Sequence, residues 1–362
     1  MNIALIAIGL LLAASNGAND NFKGVAALYG SRVAGYWTSL GWASVTTLAG
    51  SLCSVFLASA LLKVFTGAGL VPDATAAQTG FALAVAAGAA LTIAVGSWRG
   101  VPISTTHALV GAMCGAGLVA VGGGNVHFAA LAKTFLLPLL ASPLIAIIPA
   151  WIIAPWLRKL AARGARDPEC ICRTGAVIGV TPDGVQWRSS SEPIRALHAE
   201  CAIHGARPIV LRWDARGAVN TLLFLSGGAA SFARGLNDTP KIAALLLPVA
   251  LLDGGSAVLA VGMAMLVGGV IGARRVARTM SDKITRLDVG AALAASLTTG
   301  LLVGTASVSG LPVSTTHVSV GALAGAGANG VDRKVITRIA LSWIITLPIG
   351  ALFGALVYWT VG

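Results

Sequence analysis

An 18-residue segment occurs twice in this chain, which predicts a fold built from two related units. Residues 310–327 read GLPVSTTHVSVGALAGAG and residues 100–117 read GVPISTTHALVGAMCGAG, with 12 of the 18 positions identical. Pro102 and Pro312 favour extended backbone just before a helix, and the Ser-Thr-Thr that follows supplies N-cap hydroxyls. Each copy therefore predicts a helix start whose free N–H groups and positive dipole end suit an anion.

A second duplicated segment indicates that the repeat extends over most of each half of the chain. Residues 17–28 (GANDNFKGVAAL) match residues 235–246 (GLNDTPKIAALL) at a spacing of 218, close to the spacing of 210 between the first pair. We therefore expect three parts: a first membrane repeat over residues 1–157, a linker domain over residues 158–217 and a second membrane repeat over residues 218–362.

The composition places both repeats in a membrane. Hydrophobic residues make up 56% of the chain and charged residues only 10%, with a mean hydropathy of +0.84, whereas soluble domains carry roughly a quarter charged residues. Apolar runs near the ~20 residues that span a bilayer recur along the chain, and Met1–Leu12 is interpreted as a retained first helix. The net charge of +12 lies in loops, so the expected partner is the lipid bilayer and not nucleic acid.

Each repeat contains five apolar segments that predict helices. In the first repeat they are Ile3–Leu28 (interrupted), Ala34–Leu62, Thr79–Val95, Ser104–Val121 and His127–Leu157. In the second they are Val219–Leu247 (interrupted), Gly255–Ile271, Val289–Ala306, Ser314–Ala328 and Val335–Trp359. The Ser-Thr-Thr-His segments are expected either to cross fully or to enter and return as hairpins.

Loop charge predicts that the two repeats are inverted. Gly272–Asp288 carries five Lys/Arg residues, whereas its counterpart Lys63–Gln78 carries one, so the positive-inside rule puts these loops on opposite sides. Both termini are then outside and the linker, with ten Lys/Arg against six Asp/Glu, is cytoplasmic. We expect an all-α protein of the cytoplasmic (inner) membrane, with two inverted-topology repeats of about five crossing segments and broken or re-entrant helices at the midplane, as in transporters. The alternatives are a parallel duplication or a duplicated enzyme.

Charged side chains inside the apolar segments are the first candidates for function, because a charge at the bilayer centre costs at least ~2.5–3.5 kcal/mol. They are Asp20, Lys23, Arg234, Asp238 and Lys241. The structural alternative is one internal Asp–Lys salt bridge per repeat, since both pairs have i,i+3 spacing. Because the pairs recur beside Asn19 and Asn237, a functional role is favoured.

The neighbouring chemistry favours phosphate over sulfate. A monoprotonated phosphate can donate its proton to an ionised carboxylate such as Asp20 or Asp238, whereas sulfate has no proton to donate and is repelled. Lys23 and Lys241 weaken this argument because they can neutralise the two carboxylates.

His107 and His317 follow the hydroxyls in the duplicated segment and have two interpretations. Imidazole titrates near working pH, so the pair could relay protons. More often a histidine in this position braces a neighbouring helix, and this interpretation is favoured.

The linker offers a weaker set of candidates. Zinc-type ligands occur at Cys170, Cys172, His198, Cys201 and His204, but their spacing fits no standard finger. A small basic domain without metal is favoured there, with a β-hairpin over residues 175–187.

These motifs resemble the inorganic phosphate transporter (phosphate permease, PiT) family. The resemblance rests on residues 17–20, 235–238, 102–107 and 312–317, and covers both repeats but not the linker. It implies a cofactor-free secondary transporter, not an enzyme, that imports phosphate by symport with sodium or protons, often as a homodimer. It also implies substrate and cation ligands at the following residues: Asn19, Asp20, Ser104, Thr105, Thr106, Asn237, Asp238, Ser314, Thr315 and Thr316.

The chain departs from this family at the lysines. Many sodium-coupled members carry Asp-Val-Ala-Asn where this chain has Asp20-Asn-Phe-Lys23 and Asp238-Thr-Pro-Lys241. An ammonium in place of an amide oxygen removes a sodium ligand and is able to take the position of the ion. Proton coupling through Asp20 or Asp238 is therefore our hypothesis. Because a branch resembling this family transports sulfate, a sulfate permease is the alternative.

Two further classes are less favoured. An intramembrane hydrolase would use Ser, His and Asp, but Ser104 and His107 stand at helix-cap positions. A channel is disfavoured because buried Asp–Lys pairs suit an occluded site better than a wet pore. We therefore expect a carrier that works by alternating access.

Overall fold

A computed structural model describes the membrane-embedded part of the chain and short pieces of the linker. The described residues are 1–67, 69–163, 169–173, 178–180, 186–188, 193–197, 207–211, 215–249, 252–327 and 330–362. Outside the linker the regular structure of these residues is helical, which confirms an all-α membrane protein.

The first half begins with a helix that ends at the duplicated Asn-Asp. Turns over residues 21–25 follow it, so the predicted interruption is confirmed. Short 3₁₀ and π segments lie at Gly123–Asn125 and Leu131–Leu136. The α-helices are α1 (Asn2–Asp20), α2 (Ala26–Gly30), α3 (Tyr36–Leu57), α4 (Ser59–Val64), α5 (Asp73–Ala76), α6 (Thr79–Arg99), α7 (Thr105–Val121), α8 (Phe128–Ala130) and α9 (Leu137–Arg163).

The linker contributes two small antiparallel sheets. The strands are β1 (Glu169–Arg173), β2 (Ile178–Val180), β3 (Gln186–Arg188), β4 (Pro193–Leu197) and β5 (Arg207–Leu211). β1 lies between β4 and β5, and β2 pairs with β3, which confirms the predicted hairpin. Among the zinc-type candidates, Cys170 and Cys172 lie on β1, whereas His198, Cys201 and His204 lie outside the described residues. The metal-free linker domain stays the favoured prediction, with the metal site as its alternative.

The second half repeats the order of the first. Its short non-α segments are Ala244–Leu246 and Thr279–Lys283. Its α-helices are α10 (Ala215–Ala243), α11 (Gly254–Gly272), α12 (Arg274–Arg278), α13 (Val289–Val308), α14 (Thr315–Ala326) and α15 (Arg333–Val361).

One prediction for this half was wrong. Helix α10 runs unbroken through Gly235–Asp238, and in the first half α1 stays helical to Asp20. Both Asn-Asp pairs therefore lie on helical backbone and not on unwound chain. Pro240 lies inside α10, where it removes the backbone N–H that would otherwise bond the Leu236 carbonyl.

Among the described residues, seven helices are long and apolar enough to cross a membrane, which makes this a multi-pass membrane protein. They are α1, α3, α6, the continuous stretch Phe128–Ala162, α11, α13 and α15. Helix α14, with 12 residues, is only about 18 Å long and cannot span a hydrocarbon core of ~30 Å. Helix α10 is long but carries the buried charges, which excludes it from this apolar set.

The Ser-Thr-Thr-His helices belong to helical hairpins. Helix α6 connects to α7 through residues 100–104 and α13 connects to α14 through residues 309–314, and the two helices of each pair contact each other. Such short connections make the paired helices antiparallel neighbours. Each Ser-Thr-Thr-His segment therefore begins the second arm of a helical hairpin.

Helices of each half pack against helices of the other half. Helix α15 contacts α7 while α9 contacts α14, and α3 contacts α10 while α11 contacts α1. Glycines make the first pair of contacts close: a Cβ on Gly111 or Gly115 would overlap the carbonyl of Leu347 or Ala351, and Gly321 and Gly325 face the carbonyls of Pro143 and Ile147 in the same way. In the sequence, the GxxxG spacings Gly111/Gly115 and Gly321/Gly325 predict close helix packing, and these contacts confirm it.

We expect Gly115→Ala to destabilise the protein by about 1–3 kcal/mol, because the added methyl overlaps backbone that cannot rotate away. Thermal unfolding in detergent measures the effect. The control is Gly41→Ala, also in a helix but with no heavy atom near the added Cβ, which should leave stability unchanged or slightly raised. Equal melting temperatures for the two variants would contradict the close packing.

Candidate functional site

The tips of the two hairpins begin as helix N-termini with capping serines. The Ser104 Oγ accepts a hydrogen bond from the His107 N–H at 3.2 Å, and the Ser314 Oγ accepts one from the His317 N–H at 3.3 Å. Each tip turns on a glycine with positive φ, Gly100 at 68° and Gly310 at 70°. The serine hydroxyls are thus used within their own helices. The predicted caps are confirmed, and the threonines remain to face the neighbouring elements.

The two tips meet inside the protein. The Thr106 Oγ1 donates to the Val313 carbonyl at 3.2 Å, and the Thr316 Oγ1 donates to the Ile103 carbonyl at 2.8 Å. Both threonines are about 1% exposed. The hydroxyl clusters therefore lie side by side and buried, with the polar first turns of α7 and α14 in direct contact with the opposite tip.

Oxygen atoms from both halves surround the Lys23 ammonium. Its ammonium donates to the Asp20 Oδ1 at 2.6 Å and the Asn19 Oδ1 at 2.9 Å. It also donates to the Ile103 carbonyl at 2.9 Å and to the Thr316 Oγ1 at 2.5 Å across the boundary between the halves. A carboxylate, an amide, a carbonyl and a hydroxyl thus surround one cation.

Lys241 repeats this arrangement from the other side. Its ammonium donates to the Val313 carbonyl at 2.7 Å and to the Thr106 Oγ1 of the first half at 2.9 Å. The Asp238 Oδ1 is farther away, at 3.7 Å, and the Phe65 ring lies 5.5 Å from the ammonium. The second shell is therefore looser than the first.

Asp238 has a partner that Asp20 lacks. The Arg234 Nε lies 3.5 Å from the Asp238 Oδ2, while the other nitrogens of the guanidinium donate to the Asn16 Oδ1 at 2.7 Å and the Asn21 Oδ1 at 2.9 Å. Asn16 in turn donates to the Thr105 Oγ1 at 2.8 Å. A buried arginine thus connects α10 to the first turn of α7.

The cluster carries more positive than negative charge. Asp20, Lys23, Arg234, Asp238 and Lys241 are each at most 3% exposed, and they comprise two acids and three bases. With all five ionised, the cluster holds one positive charge in excess. A buried charge without a counter-charge is costly, so the cluster is suited to binding an anion.

The histidines lie side by side, outside the hydrogen bonds of this cluster. The His107 and His317 ring centroids are 4.8 Å apart, His317 lies 3.9 Å from the Trp343 ring, and its Nδ1 is 2.8 Å from the Leu139 carbonyl. His317 therefore braces α14 against its neighbours. The proton relay stays a prediction.

The sequence model of the phosphate transporter family matches residues 16–354, which includes every residue of the cluster. The chain belongs to this family. The family is one of transporters and not of enzymes, so the hydrolase alternative is not favoured.

Several relatives are named as inorganic phosphate transporters. The chain is 26% identical to inorganic phosphate transporter 2-1 of Arabidopsis thaliana chloroplasts, over 99% of this chain and 72% of that protein. It is also 26% identical to a probable low-affinity inorganic phosphate transporter of Rhizobium meliloti, over 98% and 95% of the two chains. The match to PitA of Escherichia coli K12 is 37% identical but spans 107 residues, 28% of this chain and 21% of that protein.

A solved structure shares the fold. A protein described as the sodium-dependent phosphate transporter superposes with a TM-score of 0.74 and 22% identity, over 99% of this chain and 98% of that one. At 22% identity, this similarity shows that the two chains share a fold.

Sequence reasoning missed several polar partners of the cluster. The Ser97 Oγ accepts from the Asn19 Nδ2 at 3.1 Å, and the Ser307 Oγ donates to the Asn237 Oδ1 at 3.4 Å. Both serines stand three residues before the glycine of the duplicated segment, a signal that was available. Asn16 matches Arg234 at the spacing of 218, but their different chemistry hid the correspondence.

We expect Lys23→Met to destabilise the transporter by about 3–5 kcal/mol, because the Asp20 carboxylate stays buried without its cation. Adding Asp20→Asn to the same chain should recover part of the loss, and thermal unfolding in detergent measures both. Lys133→Met, at an exposed lysine, is the control and should change little. Additive effects of Lys23→Met and Asp20→Asn would contradict the pairing.

Proposed function

We propose that this transporter carries inorganic phosphate into the cell, by symport with protons and not with sodium. The observation that supports the proposal is the surplus positive charge buried between two hydroxyl-bearing helix starts. The proposed substrate ligands are those expected from the sequence: Asn19, Asp20, Ser104, Thr105, Thr106, Asn237, Asp238, Ser314, Thr315 and Thr316.

The proposed ligands divide into different roles. Thr105, Thr106, Thr315 and Thr316 present hydroxyls, and the N–H groups of the same first turns precede the first intrahelical bonds, which begin at Ala108 and Val318. Such donors suit an oxyanion. Ser104 and Ser314 position these turns by capping them, so their contribution to binding is through the backbone.

Phosphate fits this chemistry better than sulfate. The carboxylates of Asp20 and Asp238 accept hydrogen bonds but donate none when ionised, and a phosphate that retains a proton supplies the missing donor. The relatives are also named for phosphate, so a sulfate permease is not favoured.

The contacts of the two lysines support proton coupling. A sodium ion requires several oxygens around one point, and the Lys23 ammonium already holds an acid, an amide, a carbonyl and a hydroxyl oxygen within 2.9 Å. With both ammonium groups in place, an added sodium would meet repulsion. Protons carried by Asp20, Asp238 or the phosphate itself require no such space.

The transport cycle we propose is alternating access between two inverted repeats, residues 1–157 and 218–362. The packing of helices between the halves supports their equivalence, because the contact of α15 with α7 matches that of α9 with α14, and the contact of α3 with α10 matches that of α11 with α1. The proposed setting is the inner membrane, with both termini outside, the linker domain 158–217 in the cytoplasm and a homodimer as the assembly.

Asp238→Asn should reduce phosphate uptake into proteoliposomes by at least about tenfold, because the amide cannot take up a proton and lacks the negative charge of the carboxylate. Asp73→Asn, at an exposed carboxylate, is the control and should transport normally. Both variants should insert into membranes at wild-type levels. Normal uptake by Asp238→Asn would count against the assignment.

Wild-type uptake should rise as the outside is acidified and should not respond to a sodium gradient at fixed pH. Lys23→Asn combined with Lys241→Asn should make uptake depend on sodium, because the vacated shells regain amide oxygens in place of ammonium groups. Labelled phosphate uptake in proteoliposomes under imposed gradients measures both. A sodium gradient that drives wild-type uptake at fixed pH would refute proton coupling.

A further inference from the structure

A second concave site lies beside the central cluster and is lined by arginines. The cavity has a volume of about 520 Å³ and is bordered by Arg274, Arg275 and Arg278 of α12 together with Ser97 and Trp98 of α6. That volume is far more than the ~30 Å³ share of one water, so a hydrated oxyanion fits inside. None of the lining residues that the structure describes is acidic.

The arginines are available to a ligand to different degrees. The Arg275 Nη1 donates to the Trp98 carbonyl at 2.6 Å, which fixes this side chain at the wall. The Arg274 guanidinium lies 5.9 Å from the Tyr36 ring and keeps its N–H groups free of a described acid. Arg278 is exposed and forms no ion pair among the described residues.

The packing of the fold does not require an arginine here. Gly100 at the first hairpin tip faces Arg275, and Gly310 at the second tip faces Ala60 in the corresponding place. An alanine thus suffices for the same contact in the other half. At the first tip the contact uses only the Cβ and backbone of Arg275, so the guanidinium of this residue is not needed for it.

The cavity connects to the central cluster through Ser97. The Ser97 Oγ accepts from Asn19 at 3.1 Å, and Asn19 accepts from the Lys23 ammonium at 2.9 Å. Two hydrogen bonds therefore separate the cavity wall from the buried lysine. A concave basic site raises the local concentration of anions, and arginine forks match phosphate oxygens.

We propose that this cavity, formed by α12 and the end of α6, is a second binding site for a phosphate oxyanion at the cytoplasmic mouth of the transporter. The bound group is tetrahedral phosphate, either as the free ion or as a lipid headgroup. The free ion is the expected occupant, because Ser97 connects the cavity wall to the central cluster. This site rests on the proposed function, since it would hold phosphate directly beside the proposed transport site.

The first test counts bound phosphate. The full-length protein in phosphatidylcholine nanodiscs is titrated with labelled inorganic phosphate. The wild type should bind two phosphates, and Arg274→Gln combined with Arg278→Gln should bind one. Lys283→Gln combined with Arg286→Gln removes the same charge from exposed positions of the same loop that do not line the cavity, so it should still bind two.

The second test measures transport from each side. In oriented proteoliposomes, the arginine variant should need about tenfold more phosphate on the linker side for half-maximal exchange, with no change on the opposite side. The control variant should match the wild type on both sides. Equal phosphate binding and equal exchange for the arginine variant and the control would overturn the second site.

A third experiment distinguishes a lipid headgroup from the free ion as the source of the bound phosphate group. Nanodiscs that contain phosphatidylglycerol are analysed for retained lipid in the same variants. Loss of retained anionic lipid with unchanged phosphate stoichiometry would assign the site to a headgroup, and loss of one bound phosphate would assign it to the free ion. A wild type that binds no phosphate at all would instead defeat the proposed function, so the two failures are distinguishable.

Discussion

Two buried ammonium groups, each placed among oxygens from both halves, are the interaction on which this structure depends. Lys23 contacts Thr316 and Lys241 contacts Thr106, so neither hairpin tip is complete without the opposite half. A cation buried in a membrane protein is stable only when surrounding oxygens replace its water. The halves are therefore held in register by charge as well as by glycine packing, and the proposed oxyanion-binding surface needs residues from both halves.

The fold was largely predictable from the sequence, because the signals were strong and duplicated. The duplicated Pro-x-Ser-Thr-Thr-His segments predicted both N-caps, and the GxxxG spacings predicted the close helix contacts. The unbroken course of α10 through Gly235 was not predictable, since a glycine beside Asn-Asp also suits unwound chain. There the packing of α10 against α3 and α13 outweighs the local preference.

The candidate site was predictable by residue but not by partner. The duplicated motifs identified the acids, the lysines and the threonines, because charge inside an apolar segment is conspicuous. They did not show that each lysine bonds across to the other half, since contacts between residues 293 positions apart leave no local pattern. Asn16 was missed for a similar reason: its importance comes from the Arg234 guanidinium, which stands where the matching half has an amide.

That mismatch between Asn16 and Arg234 has a kinetic consequence. A duplicated carrier with identical flanks would load and unload its cargo over two mirror-image barriers. Here one flank holds a guanidinium and the other an amide, so the inward-facing and outward-facing states of the proposed cycle are expected to differ in free energy. Gradients still fix the equilibrium, but we expect the rates of inward and outward transport to differ at equal substrate concentrations.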